Sequence, residues 1–262
     1  METTPATTIW SGSLAFSLVV LPVRLLSASR ENPVRLREIH AADQGPIRHQ
    51  RVCELDCQEV AYEDIGRAFE LSDGRRVPLS VRDLESLPLP TKRVIDVVGF
   101  MPLEDIDPLT YSKPYWVAPG SGPAQRPYAV LVEALARTGL AGVAKIAIRS
   151  RERLALLRPR DGILVLQTLL WADEVRQPGA LAPAVPVTDR EVELAEVLMR
   201  ELTGVDLSEL RDEYRHALES LVDAKLAGEE VEAPPAPPPA VDLMAALEES
   251  VREARARRGE RP

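Results

Sequence analysis

The sequence predicts an α+β protein, mainly β: a partly closed β-barrel core with one inserted helix, followed by a C-terminal helical arm and a flexible tail. Three observations carry that prediction. Short stretches of two-residue apolar alternation, punctuated by Gly, Pro and Asp, follow one another through the first 180 residues. Within them a single run, Tyr128 to Arg137, has helical period, and past Pro178-Gly179 only helical periodicity remains. Many short strands with one inserted helix favour a barrel over a doubly wound sheet, which needs strands and helices in alternation. The expected organisation is a barrel core over 1–180, a helical arm over 181–228, and a linker with a short helical tail over 229–262.

In chain order, Trp10 to Leu18 alternates and then runs apolar to Pro22, which predicts a hairpin or a long bent strand with a bulge permitted at Ser11-Gly12. Arg35 to Ile39, a stretch around Val60, Phe69 to Leu71 and Arg76 to Leu79 read as further short strands, and Val81 to Leu87 as one or two helical turns ended by Pro88 and Pro90. Lys92 to Phe100 is a β-branched strand. The proline-rich residues 102–127 read as loops and edge strands, because proline cannot donate to a ladder. Tyr128, Leu131, Val132 and Leu135 recur at three and four, with Pro127 at the start and Gly139 past the end, so this helix has both boundary signals.

Val143 to Arg149, Arg153 to Leu157 and Ile163 to Leu170 then form a predicted three-stranded meander, turned at Pro159-Arg160-Asp161-Gly162. Alternation puts Lys145 and Arg149 on one face, and a bend near Ser150 leaves the direction of Arg151 and Arg153 open. The same region is basic in an acidic protein. Residues 121–180 hold nine Lys/Arg against five Asp/Glu, while 181–262 hold ten against nineteen and the whole chain carries a net −9. Charge segregated in this way leaves a basic rim free to face phosphates, although a solvated sheet edge accounts for the same arginines.

Beyond the meander, Thr188 with Glu191 three residues on has capping-box spacing, and Val192, Ala195, Leu198 and Leu202 give the helix it opens an apolar face ending near Gly204. Ser208 to Leu226 repeats the pattern. The run 232–240 is a stiff proline-rich linker, and Val241 to Arg258 reads as a last helix with Leu243, Met244 and Leu247 in its stripe.

Several chemistries are missing. The chain has no GxSxG elbow, phosphate-binding Gly-rich loop or HExxH, and only three histidines, so no catalytic residues and no cofactor are assigned. Aromatics make up 4%, too few for a base-stacking platform. His40, His49, Cys53 and Cys57 make an array with spacing that could hold zinc, but the intervening residues are not knuckle-like. A strand would throw the two cysteines to one face in any case, so ordinary thiols are preferred and no metal is assigned. Asp105 and Asp107 read as loop starters, and Asp173 and Glu174 as partners for Arg176 or a neighbouring arginine. With no run of 18–20 apolar residues and no leader-like N-terminus, no membrane association and a cytoplasmic, nucleoid-associated location are expected.

Trp10-Ser11-Gly12 followed by Leu21-Pro22-Val23-Arg24-Leu25, then Leu36 to His40, Lys92-Arg93-Val94-Ile95-Asp96, Ile106-Asp107-Pro108, Lys113-Pro114-Tyr115, and above all KIAIRSRERLALLRP with LLWADEVR, resemble the prokaryotic Ku proteins in collinear order over about residues 8–228. Where that family has Lys-Gly-Tyr-Glu, this chain has Arg67-Ala68-Phe69-Glu70. The resemblance implies a barrel with a helical arm, a ring-shaped homodimer threaded by double-stranded DNA ends, and non-enzymatic action in non-homologous end joining with an ATP-dependent ligase of the ligase D type as partner. Phosphate contacts are then expected from Lys145, Arg149, Arg151, Arg153, Arg158, Arg160 and Arg176, and further from Arg24, Lys113 and Arg126. The alternatives are a protein-interaction scaffold with no role on DNA, which the acidic total favours, and a zinc-dependent hydrolase, which only the His/Cys array supports.

Overall fold

The computed structural model describes residues 7–30, 34–87, 91, 93–149, 151–229 and 243–259. The linker predicted at 232–240, the start of the predicted strand at Lys92 and the bend at Ser150 lie outside the described residues. The chain divides into two compact units, 1–177 and 178–262.

The first unit contains strands β1 (Thr8–Phe16), β2 (Val19–Ser27), β3 (Arg67–Glu70), β4 (Arg76–Leu79), β5 (Val94–Pro102), β6 (Tyr111–Pro119), β7 (Leu140–Ile148), β8 (Arg151–Arg160) and β9 (Ile163–Leu169), with helices α1 (Val81–Ser86) and α2 (Gln125–Thr138). Seven of the strands form a barrel in the order β1-β2-β6-β9-β8-β7-β5, and β3 with β4 make a separate hairpin. The barrel is fully closed, which goes beyond the partly closed sheet expected from sequence. Its last seam is a short parallel pairing of β1 with β5, from Ser13 opposite Val94 to Ala15 opposite Asp96.

Beyond that seam side chains do the closing. Trp10 Nε1 donates to the Ala147 carbonyl at 3.0 Å, and the Thr91 carbonyl accepts from Ala147 N at 3.1 Å while its hydroxyl donates to Glu152 at 2.7 Å. Gly12 is required here for close approach: a Cβ on it would lie 2.3 Å from the Arg93 carbonyl and 2.4 Å from the Trp10 ring. The register irregularity falls between Thr8 and Trp10, one step before the predicted bulge.

Alternate residues of the seven strands, among them Leu14, Leu25, Ile95, Val117, Ile146, Leu157 and Leu166, fill the interior, and Tyr128, Leu131, Val132 and Leu135 of α2 join the same cluster. The predicted period of three and four is therefore the buried face of a plug. Tyr128 Oη donates to the Val117 carbonyl at 2.6 Å and accepts from Leu164 N at 2.8 Å, tying α2 across the ends of β6 and β9. Gly139 ends the helix at φ +69° with its N–H on the Leu135 carbonyl. A smaller cluster of Ile106, Ala141, Leu156 and Leu169 packs outside the wall.

Residues 102–127 correct the sequence expectation. β6 lies there as a central strand with Pro114 inside it, paired to β2 on one side and β9 on the other. Proline removes a ladder donor, and the β6–β9 register shifts between Tyr111 and Pro114. Two buried polar side chains of β9 repair the gap. Thr168 Oγ1 accepts from Lys113 N at 2.9 Å and donates to the Lys113 carbonyl at 3.0 Å, and Gln167 Nε2 donates to the Ser112 carbonyl at 2.7 Å.

Residues 34–87 leave the barrel and bury no side chain among those described. The strands expected at Arg35–Ile39 and around Val60 are not formed; isolated bridges join Ile39 to Pro46 and Val52 to Glu59 instead. Each bridge is closed by a turn of one design. In the first, Gln44 sits at φ +61° with its N–H on the His40 carbonyl and Asp43 accepting from Gly45 N. In the second, Cys57 sits at φ +56° with its N–H on the Cys53 carbonyl and Asp56 accepting from Gln58 N. Helix α1 starts at a Ser80–Asp83 capping box.

The second unit holds α3 (Asp189–Glu201), α4 (Glu213–Ala227) and α5 (Leu243–Gly259). The predicted capping box opens α3: Thr188 accepts from Glu191 N while the Glu191 carboxylate accepts from Thr188 N. Those hydrogen bonds hold the Glu191 carboxyl below its ordinary range, the Thr188 hydroxyl contributing most. Helix α4 begins later than Ser208 because Asp212 supplies the cap, accepting from Arg215 N at 3.1 Å. Helix α5 packs against α3, with Val251 buried. No helix among the described residues is long and apolar enough to cross a membrane.

Candidate nucleic-acid interface

The predicted meander is present as β7, β8 and β9, antiparallel throughout. On β8 the inward row contains Ala155 and Leu157 of the barrel core, and Arg153 continues that row, opposite Ile146. Leu154, Leu156 and Arg158 take the outward row. Lys145, opposite Leu154, also faces out, and its Nζ lies 5.9 Å from the centroid of the Trp171 ring. The expectation that Lys145 and Arg149 share a face is not met. β7 ends at Ile148, and Arg149 turns the chain at φ +59°, outside strand alternation.

The end of the barrel opposite the α2 plug is open. A cavity of about 420 Å³ there is lined by Ser27, Ser112, Lys113, Tyr115, Arg149, Arg153 and Thr168, with no carboxylate among its lining residues. A second hollow of about 310 Å³ on the same rim is lined by Arg151, Glu152, Arg153, Trp171 and Glu174. Five of the ten predicted cations thus gather at one end: Lys113, Arg149 and Arg153 in the mouth, Arg151 and Lys145 beside Trp171. Lys113, Lys145, Arg149, Arg151 and Arg153 make no ion pair among the described residues.

The other five lie elsewhere. Arg158 and Arg160 are at the far end of β8, so Arg158 is roughly 23 Å along the strand from Arg151 at ~3.3 Å per residue. Arg160 is within 3.4 Å of Asp161. Arg24 is exposed opposite Ala118 on β2, and Arg126 is exposed in the first turn of the plug helix. Arg176 is exposed beyond the turn at Ala172–Glu174 and is not paired with Asp173. Glu174 instead accepts from Trp171 N at 3.0 Å.

Three residues escaped the sequence reading. Trp171 follows a strand end close to a lysine of the outer wall, and its single-residue signal is hard to separate from core packing. Gln167 and Thr168 are polar residues in an otherwise apolar strand; a strand with an internal proline needs such a side-chain partner, which is the available clue.

The His/Cys array is not assembled. His40 Nδ1 pairs with Asp43 at 2.8 Å and His49 pairs with Glu38. Cys53 and Cys57 occupy a tight turn, with Cys53 half-buried and Cys57 exposed. No group of three or more His, Cys, Asp or Glu among the described residues could hold a metal ion. Asp107 caps a single turn, accepting from Leu109 N at 2.9 Å.

The fold and this surface together define a mainly β, α+β protein whose closed barrel is plugged by a helix at one end and cationic at the other. The chain belongs to the Ku family: residues 15–194 match the family described as the Ku70/Ku80 beta-barrel domain. It is 45% identical over 257 residues to the non-homologous end joining protein Ku of Streptomyces griseus, covering 95% of this chain and 65% of that protein. It is also 45% identical over 255 residues to the protein of that name from Frankia casuarinae, covering 95% and 64%, and 35% identical over 264 residues to that of Mycobacterium tuberculosis, covering 93% and 94%. The chain therefore spans just under two thirds of the length of the first two relatives.

Proposed function

We propose that this chain binds ends of double-stranded DNA without regard to sequence, as a ring-shaped homodimer acting in non-homologous end joining, and does so without catalysis. The observation that carries the reading is the gathering of Lys113, Lys145, Arg149, Arg151 and Arg153, none in an ion pair among the described residues, at one end of a barrel whose family is named for that process in its relatives. Arginine forks and a lysine point charge suit phosphate oxygens and need no base edge. A ring can load only where a duplex stops, so end preference follows from topology. The exposed segment 34–87, with Phe69 61% and Val77 45% accessible, has the character of a strand arm that completes its packing on a second copy or along DNA. The helical unit, with Tyr214 and Leu226 exposed on α4, supplies apolar surface for the repair ligase.

The test is a gel shift of one duplex sequence as a linear fragment and as a covalently closed relaxed circle, at moderate salt. Retardation of the linear form alone is expected. Equal retardation of both removes the threading mechanism, and retardation of neither returns the protein to the scaffold reading.

A further inference from the structure

The mouth of the barrel asks for a ligand of its own. Its three cations come from three separate places: Lys113 from β6, Arg149 from the β7–β8 turn and Arg153 from the inward row of β8, around one cavity of about 420 Å³ that no carboxylate lines. Like charges brought together around one concavity repel, and an anion that joins them relieves the repulsion. The backbone that carries these cations is constrained. Lys113 is pinned on both sides of its peptide by the Thr168 hydroxyl. Arg149 occupies the left-handed region at φ +59°, where a bulky residue is costly and glycine is free. Arg153 is half-buried, continuing the row of Ala155 and Leu157. Ser112 lines the same wall.

We propose that this mouth is a binding pocket for a phosphate group with at least three free oxygens, a phosphomonoester or inorganic phosphate or pyrophosphate. Three cationic side chains around one cavity offer charge-assisted donors to the oxygens of a terminal phosphate. Lys113 and Arg149 line this cavity and not the hollow beside Trp171, so the site is distinct from the outer wall where Lys145 and Arg151 lie. Two sources offer the required group: the 5′-terminal phosphate of a DNA end, which rests on the end-binding reading above, and a free phosphorylated small molecule, which does not.

Titration calorimetry of the full chain with pyrophosphate, beside competition between 5′-phosphorylated and 5′-hydroxyl duplexes of one sequence, separates the two. Arg153→Gln and Arg149→Gly are the informative variants, because glycine relieves the backbone at 149 while deleting the charge, which keeps the hairpin intact. Pyrophosphate binding weakened at least tenfold by both variants supports a pocket for soluble phosphates. A preference for the 5′-phosphorylated duplex that both variants abolish supports capture of the DNA terminus. Absence of pyrophosphate binding together with no preference between the duplexes overturns the proposal, as does affinity that neither variant changes. If the proposal falls while linear DNA is still preferred over the circle, the end-binding reading stands without it; if pyrophosphate binds but the circle is retarded equally, the pocket stands alone.

Discussion

At the scale of single residues, Tyr128 holds the plug to the barrel. Its buried hydroxyl bridges the Val117 carbonyl and Leu164 N, so Tyr128→Phe leaves both backbone groups unsatisfied at a cost of about 1–3 kcal/mol, measurable by urea unfolding with little change in slope. The same residue gives the fold an alkaline limit. Burial pushes the Tyr128 phenol above its ordinary value, against the smaller opposing effect of the Leu164 N–H. A folded-state value raised in this way contributes stability that is complete below about pH 10, where the unfolded phenol titrates, and is lost as pH climbs through the folded value. Tyr128→Phe is therefore expected to lose less stability than the parent as pH rises above about 10; equal losses would show that the phenol is not desolvated. The periodicity of the helix was legible in the sequence as an apolar stripe, but the hydroxyl's two partners were not, since they lie 11 and 36 residues away and depend on barrel closure.

At the scale of elements, what could be read from sequence was whatever alternation or capping encodes locally. The meander, the first hairpin, α2 and the Thr188 capping box follow from two-, three- and four-residue spacings alone. The misreadings fall where a local rule is overridden by a distant side chain. The prolines of β6 predict edges and loops, yet the strand sits in the middle because Gln167 and Thr168 replace the missing ladder bonds. That repair has a measurable price. Thr168→Val preserves shape but strands Lys113 N and the Lys113 carbonyl, and is expected to destabilise the protein by about 1–3 kcal/mol, with amide exchange accelerated first in β6. Uniform acceleration across the barrel would mean that the β6 repair is not a local weak point. The opposite error, strands expected at Arg35–Ile39 and near Val60, arose because short alternation is shared by strands and by isolated bridges closed with left-handed turns.

At the scale of the whole molecule, the predicted cations of β8 divide between two ends of one barrel, a separation that sequence distance conceals because β8 runs from Arg151 at the mouth to Arg160 beside the plug. Binding through the backbone charge of DNA makes that division testable. Each phosphate contact contributes roughly 0.9 to the slope of log affinity against log salt, so the slope counts contacts and charge removal locates them. On the proposed reading the duplex lies along the mouth-end wall, where Lys145 and Arg151 flank the Trp171 ring. Lys145→Gln with Arg151→Gln should then flatten the slope by nearly two per protomer, on the order of 0.9 for each lost contact. Arg158→Gln with Arg160→Gln should leave it almost unchanged, Arg160 being close to Asp161 already. The reverse pattern would put the duplex at the plugged end and detach the mouth from DNA altogether. Equal flattening by both pairs would require a duplex wrapped along the length of β8, a geometry that a ring threaded by a straight duplex does not supply.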